Sequence, residues 1–421
     1  MNKATSPIHS TDVVIVGAGI TGLAHAAEAV ARGLAVCIVE RDSRAVGASI
    51  RNFGHCCVTA QTGELLELAR TAREGWLRHS ELAGFFSVES GAVAVARNSQ
   101  EVAVLEELAA TRGGEVSLIG PAAVRAELSG HGGAEILGGA VLRDDIRVDP
   151  REAVAKLAAW LGRQPRVRFL WRTSYFGAGP GTGHDAGTGA GHDAGTGAGP
   201  GAGAGAGNDA GASSGGAVTV HTSRGPIRAG KVIVCVGHDL DRVHPELAEE
   251  RQVDRCALQM ALVRPPSGLN ITRAVLTGTS MLRYPAFAET TAARELKREL
   301  AARNPELLAI DANVMLTQRP DGTLIIGDSH RTEATTDPFL SEQTTDTLLT
   351  AAAHLLGRGN FQVLQRWQGV YASSPLQSFL VERPAPHVTA VSVTSGIGMT
   401  ISFGLARKTF DQLESTLATT R

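Results

Sequence analysis

The chain has 421 residues, with 40 Lys and Arg against 42 Asp and Glu, a formal charge of −2, and 43 % hydrophobic residues. That length suggests two or three domains, and basic residues scattered among acids exclude the basic stripe that a nucleic-acid backbone demands. No apolar run reaches the roughly 18–20 residues of a membrane span, and the opening MNKATSPIHSTD has no signal-peptide apolar region, so a soluble, cytoplasmic protein is expected. The five cysteines, Cys37, Cys56, Cys57, Cys235 and Cys256, form no CxxC spacing, so neither a disulfide framework nor a metal site is expected.

In chain order, DVVIVGAG (Asp12 to Gly19) reads as a buried strand, GLAHAAEAVARG as a helix ending at Gly33, and AVCIVERD as a second strand, a βαβ unit. A strand VRFLWRT and a strand AVTVHTS flank a segment from Gly177 to Gly216 built almost wholly of Gly, Ala, Thr, Asp, His, Pro and Ser. With nothing to bury, it reads as a flexible surface loop that expands a hairpin; His184 and His192, each before an Asp, read as loop residues before metal ligands. Lys231 to Gly237 (KVIVCVG) has the continuous apolar run of a strand buried on both faces. From Cys256 the pattern turns β-rich: CALQMALVRP, AVLTGTSMLRYPAF and NVMLTQRPDGTLIIGDSH, the last a hairpin with an Asp321-Gly322 turn. A charged helix, TAARELKRELAARNPELL, lies between them. The end returns to α/β character, with a strand at HVTAVSVTSG and a helix from about Thr400.

Gly17-Ala-Gly19-Ile20-Thr21-Gly22 follows a strand and opens a helix, and Glu40 closes the next strand. Gly17 permits the tight turn, Gly19 admits a pyrophosphate, Gly22 allows close helix packing, and Glu40 suits ribose hydroxyls; together they point to a dinucleotide without a 2′-phosphate. Two segments point to a flavin over a nicotinamide. One is GASIRNFGH (Gly47 to His55) directly after Glu40. The other is Ser395-Gly396-Ile397-Gly398-Met399-Thr400 at the start of the last helix, whose amides and dipole suit the charge of a reduced pyrimidine ring.

VGAGITG with its ERD, KVIVCVGHD, IIGDSH, RWQGVYASSP and TSGIGMTISFGLA, in this order, resemble the FAD-dependent amino acid and amine oxidase superfamily of D-amino acid oxidase, glycine oxidase and sarcosine oxidase. More narrowly, RNFG, GDSH, RWQGVYAS and GMTISFGLA look like a bacterial subgroup associated with phosphonate breakdown. The resemblance implies an α/β fold: a discontinuous Rossmann-like FAD-binding domain (11–82, 148–240 and 362–421) with an inserted β-rich α+β substrate domain (83–147 and 241–361). It implies FAD, hydride transfer from a small amine bearing an anionic group to flavin N5, an imine that hydrolyses, and O2 or an electron carrier as oxidant. Carried over by position, Gly17, Gly19, Ile20, Thr21, Gly22, Glu40 and Arg41 serve the ADP half; Ser49, Arg51 and Asn52 lie near the pyrophosphate and flavin; Gly237, Gly396, Gly398, Met399 and Thr400 complete the cofactor set. Gly369-Val370 stands where some relatives carry a flavin-attaching Cys before the tyrosine. His55 is a histidyl attachment point by position only, so noncovalent FAD is the expectation.

An anionic substrate group calls for Arg. Candidates are Arg51, Arg283 in the expected strand SMLRYPAF, Arg319 and Arg366; each alone reads first as a surface or salt-bridge arginine, and Arg283, beside Tyr284, is the favoured one. His330 after GDS and His55 complete the catalytic candidates, Trp367 and Tyr371 are candidate pocket walls, and His25 reads as structural. His55-Cys56-Cys57 replaces the bulky apolar stretch of the subgroup, so these side chains bear on substrate choice. Competing readings are a flavin-dependent monooxygenase sharing the N-terminal fingerprint, a non-catalytic flavoprotein subunit of a larger dehydrogenase, and an NAD-dependent dehydrogenase, which leaves GIGMT unexplained.

Overall fold

The computed structural model describes residues 10–180, 217–265, 268–359 and 361–419. His184, His192 and the Gly-rich stretch beyond residue 180 lie outside the described residues, as do residues 1–9.

The expected βαβ unit forms. Ser10–Val16 pairs in parallel with Val36–Val39 on one side and Ile227–Val234 on the other, and Val167–Leu170 and Val388–Val393 extend the parallel array outward. Strand alternation divides the apolar run VVIV between two layers. Val13 and Ile15 pack among Leu23, Ala27 and the C-terminal helix residues Phe403 and Leu405, whereas Val14 and Val16 join Val218, Val220 and Val232 on the opposite face. Among the described residues the sheet has eight strands. The hairpin that carries the Gly-rich segment differs from the sequence reading. VRFLWRT contributes Val167–Leu170, a parallel strand on Val36–Val39. The arms of the hairpin are instead Tyr175–Pro180 and Val218–Thr222, so Gly177 to Pro180 are strand residues rather than loop. The Gly-rich composition concealed this, because a hairpin arm needs backbone pairing more than apolar side chains.

A second sheet of nine strands among the described residues draws on Ala92–Ala96, Gly138–Leu142, Asp254–Arg264 and the Met315–Gln318/Leu324–Gly327 hairpin. Asp321 closes that hairpin as expected, accepting from the Thr323 amide at 3.0 Å. Gln362–Ser373 runs antiparallel along Asp254–Arg264. Its mixed polar pattern gives no hint of which sheet it joins. A two-residue strand His55–Cys56, with Ile146–Val148 and Ser87–Val88, forms a small third sheet between them.

SMLRYPAF is not a strand. After Ala274–Leu276 the chain turns into the short helices Gly278–Met281 and Pro285–Ala288, with Arg283 between them. Thr277 and Ser280 form a reciprocal capping box and Pro285 occupies the first turn of the next helix, so local capping chemistry overrides the short apolar pattern.

Candidate active site

A cleft of about 430 Å³ runs between the two large sheets, and every cofactor candidate except Gly22 lines it, together with Arg51, His55, Arg283, Tyr284 and His330. Its near end is the glycine turn. Gly17 has φ +101°, and a Cβ there would lie 2.4 Å from the Cys235 carbonyl oxygen, so this backbone passes where only glycine fits. Gly22 is the exception: it does not line the cleft, and a Cβ there would meet the Gly17 carbonyl at 1.9 Å. Its role is to let the helix Ile20–Ala31 close on the turn. The Ile20 amide donates to Ser49 Oγ at 2.9 Å, which brings Ala48–Ile50 over the helix start.

Glu40 accepts from the amides of Ala18 at 2.7 Å and Asp42 at 2.9 Å, which fixes its carboxylate at the mouth of the glycine turn. Arg41 reaches Asp239 at 2.5 Å. Burial raises the Asp239 carboxyl, but His238, Arg41 and Arg255 outweigh it and hold it below its ordinary value. Asn52 donates to the Ala48 and Ser49 carbonyls and accepts from the Gly54 amide, so it shapes the turn. Arg51 donates to the Gln368 carbonyl at 3.0 Å. Gly237, with φ +61°, opens the wall opposite.

Farther along, Gly396 has φ +77°, and a Cβ there would lie 3.1 Å from the Tyr371 ring. Thr400 Oγ1 accepts from the Cys57 amide at 3.2 Å, and the Met399 carbonyl accepts from buried Trp76 Nε1 at 2.6 Å. The start of Gly398–Thr419 is thus held from two sides. A narrow glycine turn, a carboxylate beside it and a glycine-bearing helix start along one cleft fit an extended dinucleotide flavin.

The far end carries most of the ionisable chemistry. Arg283 donates to Tyr371 Oη at 2.8 Å and pairs with Asp311 at 3.3 Å. Tyr284 Oη faces Met315 Sδ at 3.3 Å, and burial raises its phenol well above the ordinary value. His330 Nδ1 lies 2.9 Å from the Asp311 carbonyl and Nε2 lies 3.5 Å from Asp328. His55 also lines the cleft; its Nε2 bonds Asp145 at 2.8 Å and its buried Nδ1 has no partner. Cys57 lines the cleft, while Cys56 points its thiol to the Met399 carbonyl.

Arg51, Arg283, His330 and the 396–400 turn therefore meet in one cleft. Arg319 and Arg366 do not line it. Arg319 pairs with Asp149 and Asp321, and Arg366 with Glu342. Trp367 stands behind the wall, donating to the Arg51 carbonyl. His25 is fully buried against Thr21 and Thr409. Asp328 and Asn313 escaped the sequence reading although both line the cleft; the available signal was an acid directly ending the apolar strand LIIG.

A family model described as FAD dependent oxidoreductase matches residues 12–412. No curated protein matches the sequence. Among solved structures, L-proline dehydrogenase from P. horikoshii superposes with a TM-score of 0.73 at 16 % identity, covering 97 % of this chain and 95 % of that one. Glycine oxidase from Geobacillus kaustophilus gives 0.70 at 18 % identity, covering 95 % and 94 %. Dithionite-reduced L-α-glycerophosphate oxidase from Mycoplasma pneumoniae, with FAD bound, gives 0.71 at 16 % identity, covering 97 % and 95 %.

Proposed function

The chain belongs to the family of FAD dependent oxidoreductases, and from that membership we propose that it oxidises the C–N bond of a small amine carrying an anionic group, an amino acid or an aminophosphonate. The observation that carries this reading is Arg283, a guanidinium in the cleft wall beside Tyr284 and Tyr371. Its planar fork can grip a carboxylate or phosphonate through two N–H groups, and Tyr371 steers it by accepting one bond.

The chain's own residues supply binding and orientation. Gly17 and Gly19 would let a pyrophosphate approach the helix start, and Glu40 would accept from ribose hydroxyls. Ser49, Arg51 and Asn52 shape the adjoining turn, and the helix N-terminus at 398–400 would stabilise negative charge on the pyrimidine ring. Bound FAD supplies the hydride acceptor, and the imine product hydrolyses to an aldehyde or oxo acid plus an amine. Tyr284 and Met315 line the same cleft in contact with each other, and the chain's share of the acceleration is chiefly positioning. We take the FAD as noncovalent, since Gly369-Val370 precedes Tyr371 and offers no thiol, and O2 or an electron carrier as the oxidant.

Arg283→Gln tests the reading. Across anaerobic titrations, the variant loses on the order of 10- to 100-fold in apparent affinity for amines with a carboxylate or phosphonate, the scale of a lost charge-assisted bond. It gains relative preference for amines lacking an anion. An equal loss on both groups of amine would overturn the assignment of Arg283 to the anion.

A further inference from the structure

Beside Arg283, the cleft holds a buried carboxylate that anion binding does not use. We propose that Asp328, backed by His330, takes the proton from the substrate's ammonium nitrogen, so that the amine is oxidised in its neutral form; this inference rests on the amine reading above.

Asp328 is 5 % exposed yet lines the cleft. Its Oδ1 accepts from Asn313 Nδ2 at 3.2 Å. The Asn313 amide cannot turn away, because its own oxygen accepts from Ser280 Oγ at 2.7 Å. The Oδ2 side faces His330 Nε2 at 3.5 Å. His330 Nδ1 must carry a proton to bond the Asp311 carbonyl, so in the neutral ring Nε2 presents a lone pair to Asp328. Burial and the Arg283 charge keep the ring neutral, well below the ordinary imidazole value. A proton arriving on Oδ2 therefore meets the His330 Nε2 lone pair 3.5 Å away.

The other ionisable groups around Asp328 are Arg283, Asp311, Tyr284 and Tyr371. Both phenols are pushed up and stay neutral, and Asp311 pairs with Arg283. Burial pushes the Asp328 carboxyl up to about 7, against the pull of Arg283 and Asn313. A carboxylate poised near neutrality can accept a proton from a bound ammonium and return it later. The step balances without a co-reactant: the N–H bond breaks, its electron pair stays on nitrogen, and an O–H bond forms on Asp328. Arg283 and Asp328 in one wall thus make the cleft complementary to a zwitterion, which selects amino acids and aminophosphonates over simple acids and simple amines.

The test uses the FAD-loaded protein and stopped-flow flavin reduction from pH 5 to 10, with whichever of glycine, sarcosine, D-alanine, 2-aminoethylphosphonate or its N-methyl derivative bleaches the wild type. The wild-type kred/Kd rises with pH through about 7. Asp328→Asn lowers it about 100-fold at neutral pH, moves the rising limb to the ionisation of the substrate amine itself, and leaves the binding of propionate and ethylphosphonate unchanged; Asp328→Glu restores the lower limb. An Asp328→Asn profile with the wild-type limb, or an equal loss of propionate binding, overturns the role of Asp328 alone. A wild-type flavin that none of the amines bleaches overturns the amine reading with it.

Discussion

His25 shows how one side chain can couple the fold to pH. Its Nδ1 bonds the Thr21 carbonyl at 2.7 Å and its Nε2 the Thr409 hydroxyl at 3.2 Å, which fastens the first helix to the last. Burial pushes its imidazole down to about 4. The unfolded chain binds this proton near pH 6.5 and the native state only near 4, so acidification through that window favours unfolding. The shift corresponds to about 3 kcal/mol. Asp328 works in the opposite direction, since its carboxyl is raised in the native state. A comparison of thermal midpoints at pH 8 and pH 5 for the wild type and His25→Gln isolates the histidine: the variant loses less on acidification. An equal drop in both would show that His25 already charges at no cost. At this scale the sequence was informative where the chemistry is local. The glycine turn and Glu40 are adjacent in the βαβ unit and His330 stands out after GDS, whereas Asn313 reaches Asp328 only because the strands Met315–Gln318 and Leu324–Gly327 pair and bring their outer ends together. Among the four arginines Arg283 stands out in sequence only by its tyrosine neighbour, and partners such as Asp149 and Glu342, distant in the chain, hold Arg319 and Arg366 outside the cleft.

Two helices determine where the 396–400 turn sits. Gly63–Ala83 crosses Gly398–Thr419 so closely that a Cβ on Gly404 would lie 2.1 Å from the Leu68 carbonyl, and one on Gly75 would lie 2.6 Å from Phe403. Trp76 is wedged edge-on against Phe85 and Phe403 and donates to the Met399 carbonyl, so the crossing sets the position of the 396–400 turn. Gly404→Ala forces the helices apart at a cost of about 1–3 kcal/mol, which thermal denaturation reads as a midpoint several degrees lower. The displaced turn also weakens FAD retention, read as a lower ratio of flavin to protein absorbance after gel filtration. An unchanged midpoint would mean the crossing relaxes freely. The sequence announced the last helix from about Thr400 but neither Gly63–Ala83 nor the crossing, since a glycine inside a helix reads only as a weak spot until its neighbour is known. The short helices around Arg283 were missed for the opposite reason: capping by Thr277, Ser280 and Pro285 was present, but a brief apolar run drew the strand reading.

Over the whole molecule, the cleft is assembled from segments far apart in the chain: the glycine turn, the 47–57 stretch, the loops at 283 and 328, the strand Gln362–Ser373 and the final helix. The α/β class and the dinucleotide unit were legible because parallel strands buried on both faces carry unbroken apolar runs. The sheet that Gln362–Ser373 joins was not, because an antiparallel partner leaves no mark in the strand's own pattern. The central claim is that this cleft holds FAD and directs it at an amine bearing an anion. The most direct measurement is the visible spectrum of the purified protein during anaerobic addition of glycine, sarcosine, D-alanine, 2-aminoethylphosphonate and its N-methyl derivative. A flavin band that bleaches with at least one of them is the expected result. A protein that takes up no FAD, or an FAD-loaded protein whose band survives all five, would contradict the claim.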